Sequence, residues 1–135
     1  MELEEYKLLY DLEETHWLYL GLRDLLISGV KQYFKNSKKI SILDVGCGTG
    51  YNLKCLGKYG VSTGVDISSN ALAYCRKRGI NRISRASVLE LPFRDESFDL
   101  VISTDVLYHR AVQDDLTAIK EIYRVWKKGG TLMIN

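Results

Sequence analysis

Three glycines at alternate positions, Gly46, Gly48 and Gly50, follow a short apolar run and precede a helical pattern. Such a turn brings the backbone close to a ligand with no Cβ in between, and the following helix offers free N–H groups. Twenty positions after Gly46, at the end of the next apolar run, stands Asp66. One helix and one strand fill that interval. Adjacent parallel strands, roughly 4.8 Å apart, bring the carboxylate beside the loop. A carboxylate there suits two acceptor bonds from the vicinal hydroxyls of a ribose. The competing reading is that Asp66 only caps a helix through the Ser68-Ser69 turn. A dinucleotide-binding fingerprint wants its third glycine where Tyr51 stands. Asp44, just before the loop, would repel a pyrophosphate. It would instead accept bonds from loop N–H groups or meet a positively charged ligand. Both mismatches point away from a phosphate-bearing cofactor.

The elements that position these groups alternate. Ile40 to Val45 is a strand, Tyr51 to about Lys58 a helix, and Val61 to Val65 a strand. Asn70 to Arg78 reads as a helix capped by Ser68 or Ser69 and ended by Gly79. Ile83 to Ala86 is a weaker strand, Leu91-Pro92-Phe93 a loop, and Phe98 to Ser103 a buried strand. A helix begins at Asp114-Asp115, with Leu116, Ile119, Tyr123 and Trp126 as its inner face. Lys127-Lys128 fall in its last turn, Gly129-Gly130 stop it, and Thr131 to Ile134 is a final strand. This alternation is the signature of parallel β-α-β units. The first 36 residues read as helical: a short segment from Glu2 to Leu12, then a helix from about His16 to Phe34, capped by Thr15. Leu18, Leu22 and Leu25 form its apolar stripe, widened by Leu26, Val30 and Phe34. The six acids of the first fourteen residues read as a solvated face.

The bulk numbers bound the function. The chain has 135 residues, 46% hydrophobic and 27% charged, which is globular composition. A net charge of +2 suggests neither a nucleic-acid nor a membrane partner. No apolar run approaches the roughly 20 residues of a transmembrane helix. The acidic start does not resemble a secretory signal. Three cysteines without a C-x-x-C pair suggest no metal site and a reducing, cytoplasmic setting.

Several segments together resemble the class I S-adenosylmethionine-dependent methyltransferases, of the small-molecule type. Leu43-Asp44-Val45-Gly46-Cys47-Gly48-Thr49-Gly50 is similar to that family's first motif, and Gly64-Val65-Asp66-Ile67-Ser68 to its second. Leu91-Pro92-Phe93 and Ser97-Phe98-Asp99-Leu100-Val101 resemble the approach to its fourth strand, and Tyr123 to Gly130 the approach to its fifth. The resemblance covers roughly residues 40–135. It implies an α/β, Rossmann-like, doubly wound parallel sheet of about five strands in the order 3-2-1-4-5. Residues 1–36 would be an N-terminal helical cap, and residues 37–135 the cofactor-binding domain.

The resemblance also implies roles. Gly46, Cys47, Gly48 and Gly50 would wrap the methionine part of S-adenosylmethionine, and Asp44 would support the loop and the charged end. Asp66 would bind the ribose, Ile67 would pack on the adenine, and Ser87 and Val88 would meet the adenine edge. The family pattern has an Asp where Ser87 stands. The backbone at Ser103 and Thr104 would touch the cofactor's amino group. Trp17 and Arg23, with Tyr6 and His16, are candidates to close over the cofactor; the competing reading for Trp17 is packing on the sheet. The reaction would be displacement at a sulfonium methyl, so positioning and water exclusion dominate. Asp105 and His109 are the candidate catalytic bases, His109 being equally readable as a surface helix start. The family's sixth and seventh strands are absent, so the fifth strand would be an open edge. A homodimer, a second chain or a longer protein would cover it. A non-catalytic cofactor-binding module, a fragment of a longer methyltransferase and a nicotinamide-dependent oxidoreductase are the alternatives. The methyl acceptor, a small molecule, is not named by the sequence.

Overall fold

The computed structural model describes residues 1, 3–36, 39–107 and 112–135. Five parallel strands form one sheet: β1 (Ile40–Val45), β2 (Gly60–Asp66), β3 (Ile83–Arg85), β4 (Phe98–Ser103) and β5 (Trp126–Ile134). Their order is β3-β2-β1-β4-β5, as expected, and the direction in which strands are added reverses between β1 and β4. Ligands of open parallel sheets bind at that reversal, beyond the carboxyl ends of the strands.

Five helices accompany the strands: α1 (Leu3–Leu12), α2 (Trp17–Tyr33), α3 (Tyr51–Leu56), α4 (Ser69–Lys77) and α5 (Asp115–Val125). Ser68 caps α4 by accepting from Ala71 N, and Asp114 caps α5 by accepting from Thr117 N. On one face of the sheet α5 packs Ala118, Ile122 and Val125 against Leu43, Val45 and Val101. Leu26 and Val30 of α2, with Leu56 of α3, cover Ile40, Ile42, Leu100 and Ile102. Ile42, Leu43, Leu100 and Ile102 are fully buried, each contributing about 1.5–3 kcal/mol of burial.

Several local expectations are corrected. The buried face of α5 is the Ala118-Ile122-Val125 stripe, whereas Leu116, Ile119 and Tyr123 point outward, Tyr123 being 68% exposed. Both stripes have helical spacing; the smaller, β-branched one fits the close approach to the sheet. The helix ends at Val125 because Trp126 is already extended and paired with Phe98. Lys127, Lys128, Gly129 and Gly130 therefore lie within β5, where its register against β4 shifts. A Cβ on Gly130 would stand 2.5 Å from Asp99 O, so the residue allows the two strands to approach. In α2 the buried residues are Arg23, Leu26 and Val30, while Leu18 and Leu25 face outward. His16, not Thr15, is its N-cap, accepting from Leu18 N. The helix runs through Gly29, against which the Met133 side chain packs: Cε would stand 2.2 Å from an added Cβ.

Candidate functional site

At the carboxyl ends of the strands lies a cavity of about 220 Å³. Its floor is the glycine loop. Gly46 N and Cys47 N both donate to Val65 O, at 2.8 and 2.9 Å, which fastens the loop to β2. Gly46 has φ +76° and its missing Cβ would stand 2.2 Å from Val106 Cγ2, so glycine is required twice over. Gly50, with φ +84°, opens α3; a Cβ there would meet Cys75 Sγ at 2.8 Å. It supports the loop from behind without lining the cavity.

Asp66 ends β2 and is buried. Its Oδ2 accepts from Gly48 N at 2.9 Å and its Oδ1 from Ser68 N at 2.8 Å. The helix-turn reading is thus present in the structure, together with a bond to the loop. A carboxylate has about four acceptor sites, so these two bonds leave capacity toward the cavity that Asp66 lines.

Asp44 is the outlier. It is 1% exposed, and among the described residues neither carboxylate oxygen has a hydrogen-bond partner. The expectation that it accepts bonds from loop N–H groups is not met, since Gly46 N, Cys47 N and Gly48 N are used elsewhere. Burial, followed by the charges of Asp66 and Glu13, pushes its carboxyl up to about 7.

The roof comes from the N-terminal helices. Tyr6 and Leu9 of α1, Glu13, and Tyr19, Leu22, Arg23 and Leu26 of α2 line the cavity. Burial raises the Tyr6 hydroxyl above its ordinary value. Arg23 is buried in the middle of a helix. Its Nη2 donates to Glu13 O at 2.8 Å, while Nε and Nη1 are buried without hydrogen-bond partners among the described residues. Its guanidinium carbon lies 4.1 Å from the Tyr51 ring centroid. Glu13 is also buried. It accepts from Thr49 Oγ1 and pairs with Arg78, although burial still raises its carboxyl above the usual range. Six acids in fourteen residues suggest a solvated face; Glu13 departs from it because the turn between α1 and α2 aims its side chain at Thr49 and Arg78.

The sequence-predicted residues sort as follows. Gly46, Cys47, Gly48, Asp66, Ile67, Ser87, Val88, Thr104, Asp105 and Arg23 line the cavity. Asp44 and Ser103 are buried behind its wall. Trp17 is 75% exposed, its ring lies 5.7 Å from that of His16, and neither residue lines the cavity. The Ser87 hydroxyl accepts from Leu89 N at 3.1 Å, which occupies part of its acceptor capacity. Asp105 has φ +60° and its N–H donates to Asn135 Oδ1. His109 lies outside the described residues. Cys47 and Cys75 are buried free thiols, and the contact with Cys75, then burial, raises the Cys47 thiol. Among the described residues no cluster of His, Cys, Asp and Glu could hold a metal ion, and no helix is long and apolar enough to cross a membrane. Sequence reasoning missed Glu13, Arg78, Leu9, Tyr19 and Asn52. None carries a local signal: Leu9, Glu13 and Tyr19 come from the roof, Asn52 from the first turn of α3 and Arg78 from the end of α4.

This arrangement asks for a ligand with both charges and a nucleoside. A partnerless buried carboxylate wants a cation, two partnerless guanidinium nitrogens want an anion, and an acid at the second strand's end suits a ribose. S-adenosylmethionine, with its amino-acid zwitterion, sulfonium and adenosine, meets that demand. A methyltransferase-domain family model matches residues 43–134. The chain is 36% identical over 124 residues to a human protein named "Probable tRNA methyltransferase 9B", covering 90% of this chain and 27% of that protein. It is 38% identical over 104 residues to the demethylmenaquinone methyltransferase of Staphylococcus aureus, covering 71% of this chain and 42% of that one. The chain thus spans less than half the length of these curated relatives. A crystal structure of a SAM-dependent methyltransferase from Thermotoga maritima superposes with a TM-score of 0.69 at 27% identity, covering 97% of this chain and 56% of that one. By the match across the loop, the acid and all five strands, the chain belongs to the methyltransferase-domain family of class I S-adenosylmethionine-dependent methyltransferases.

Proposed function

We propose that the protein binds S-adenosylmethionine between the glycine loop and the helical roof and transfers its methyl group to a small-molecule acceptor in the same cavity. The observation that carries this reading is the pair of buried, unsatisfied charges. Asp44 is a buried carboxyl just behind the cavity wall, and Arg23 lines the cavity; among the described residues both Asp44 oxygens and two Arg23 nitrogens have no hydrogen-bond partner. An orphaned buried charge is costly unless a ligand completes it. A nicotinamide dinucleotide would instead place its pyrophosphate against Asp44.

The cofactor supplies a methyl group on a positively charged sulfur, already activated for displacement. The chain's own residues then bind, orient and exclude water. Asp44 attracts the cationic end, and Arg23 takes the carboxylate. Asp66 takes the ribose hydroxyls, Ile67 covers the adenine, and Ser87 and Val88 border its edge. Residues 1–36 act as a cap whose Tyr6, Leu9, Tyr19 and Leu22 keep water out. Alignment of this kind is worth several kcal/mol of barrier. Asp105, which lines the cavity, is the candidate for taking a proton from the acceptor. Three free cysteines fit a reducing, cytoplasmic setting. β5 is the sheet's edge, and a second copy or further chain would satisfy its unpaired backbone groups.

A second reading, a tRNA nucleoside as acceptor, draws its support from the 36% identity to the human protein. Incubation with methyl-labelled S-adenosylmethionine, with quinones and small amines in one set and tRNA in another, separates the two. Label in the small-molecule set supports the proposal, and label in tRNA alone overturns it. Absence of label with intact cofactor binding favours a non-catalytic module.

A further inference from the structure

Arg78 stands at the C-cap of α4, where a basic residue usually faces water. Here its side chain is 2% exposed. Nε donates to Thr49 O in the glycine loop, and Nη2 donates to Tyr10 O in α1, both at 3.0 Å. The two carboxylates just after α1, Glu13 and Glu14, accept from Nη2 and Nη1. The guanidinium carbon lies 4.0 Å from the Tyr10 ring centroid and 5.0 Å from that of Tyr51. One planar cation therefore joins the roof, the loop and α4.

Two routes lead from Arg78 to Arg23. Glu13 accepts from Arg78 through its carboxylate and from Arg23 through its backbone carbonyl. Tyr51 lies within cation–π distance of both guanidinium groups. Arg23 lines the cavity, and its buried Nε and Nη1 have no hydrogen-bond partner among the described residues. Removing Arg78 would leave buried Glu13 with the Thr49 hydroxyl and the charge of Arg23 but without its ion pair, which favours moving or protonating it.

We propose that Arg78 is a positioning residue for the amino-acid end of the cofactor. Through Glu13 and Tyr51 it fixes the Arg23 guanidinium against the loop, and so sets how tightly the ligand's carboxylate is held. This rests on the reading of Arg23 as the carboxylate partner. A lysine cannot replace it, because only the guanidinium fork reaches Thr49, Tyr10, Glu13 and Glu14 at once.

The test is calorimetric titration of the wild type, Arg78→Ala, Arg78→Lys, Arg23→Ala and the Arg23→Ala/Arg78→Ala double variant. Two ligands are used: S-adenosylhomocysteine, and 5′-methylthioadenosine, which has the nucleoside thioether but no amino acid. Arg78→Ala and Arg78→Lys should each weaken S-adenosylhomocysteine about tenfold and 5′-methylthioadenosine less than about threefold. In the Arg23→Ala background, removing Arg78 should cost less than about threefold more. Equal losses for both ligands, or an undiminished loss in the double variant, would overturn the positioning role and make Arg78 merely structural. Arg78→Lys keeps the charge, so it reports even if Arg78→Ala fails to fold. A wild type that binds both ligands with no effect of Arg23→Ala refutes the carboxylate reading. A wild type that binds neither refutes the cofactor reading and the positioning role with it.

Discussion

Replacing Asp44 by asparagine should separate the stability of the ligand-free protein from its ability to bind. Asp44 is buried with no hydrogen-bond partner among the described residues, and its carboxyl is pushed from an ordinary 3.8 up to about 7. Between those values the folded chain holds a proton that the unfolded chain has lost. Stability therefore falls as pH rises through that window, and the loss is complete above about 7. A displacement of that size corresponds to roughly 4 kcal/mol at most. The asparagine of Asp44→Asn would carry no charge, but its amide would remain unsatisfied, costing about 1–3 kcal/mol at every pH. The difference between two pH values isolates the charge. Urea unfolding of wild type and Asp44→Asn at pH 4.5 and pH 8 should show the variant gaining roughly 2–4 kcal/mol relative to wild type at the higher pH. The same variant should bind S-adenosylmethionine at least about tenfold more weakly at pH 8, having lost the counter-charge. If the stability difference is the same at both pH values, Asp44 does not carry the displaced proton. If binding is unchanged, Asp44 is not the ligand's counter-charge.

Other perturbations have definite expected outcomes. A Cβ added at Gly21 meets nothing within 4 Å, so Gly21→Ala should raise stability by about 0.5–1 kcal/mol in denaturant titration. Gly29→Ala meets only the end of the flexible Met133 side chain, which can turn aside, so the gain in helix propensity should offset the contact and stability should change by less than about 1 kcal/mol. Asp66→Ala removes the acceptor for Gly48 N and Ser68 N as well as the proposed ribose contact. Adenosine affinity measured by calorimetry should fall about 10–100-fold, with a loss of roughly 2 kcal/mol in stability. Arg124 donates to Phe93 O and Leu91 O, at 2.7 and 2.9 Å, and pairs with Glu121 and Asp95. Arg124→Ala should therefore raise amide exchange over residues 88–95 by about tenfold, while the β1 amides stay protected.

The sheet was legible because its strands are short apolar runs ended by residues with distinctive chemistry. Ile40 to Val45 stops at the glycine loop, and Leu100 to Ile102 within β4 is the continuous apolar run of a strand buried on both faces. Asp66 was legible because the spacing of one β-α-β unit fixes which strand end neighbours the loop. Periodicity misled in α5, where Leu116-Ile119-Tyr123 and Ala118-Ile122-Val125 are both regular stripes and only packing on the sheet selects one. Gly129-Gly130 resembles a helix stop, but the pairing of Trp126 with Phe98 had already ended the helix. Glu13 and Arg78 were not legible. Each looks like an ordinary surface charge, and 65 positions separate them until the roof folds onto the loop.

The most direct test is a crystal structure of the protein with S-adenosylhomocysteine. The account predicts density between the glycine loop and α1–α2. The ligand's carboxylate should lie about 3 Å from Arg23 Nε or Nη1, the ribose hydroxyls on Asp66, and the adenine against Ile67. An amino-acid group turned away from Arg23 and Asp44, or no ligand between loop and roof at saturating concentration, would contradict it.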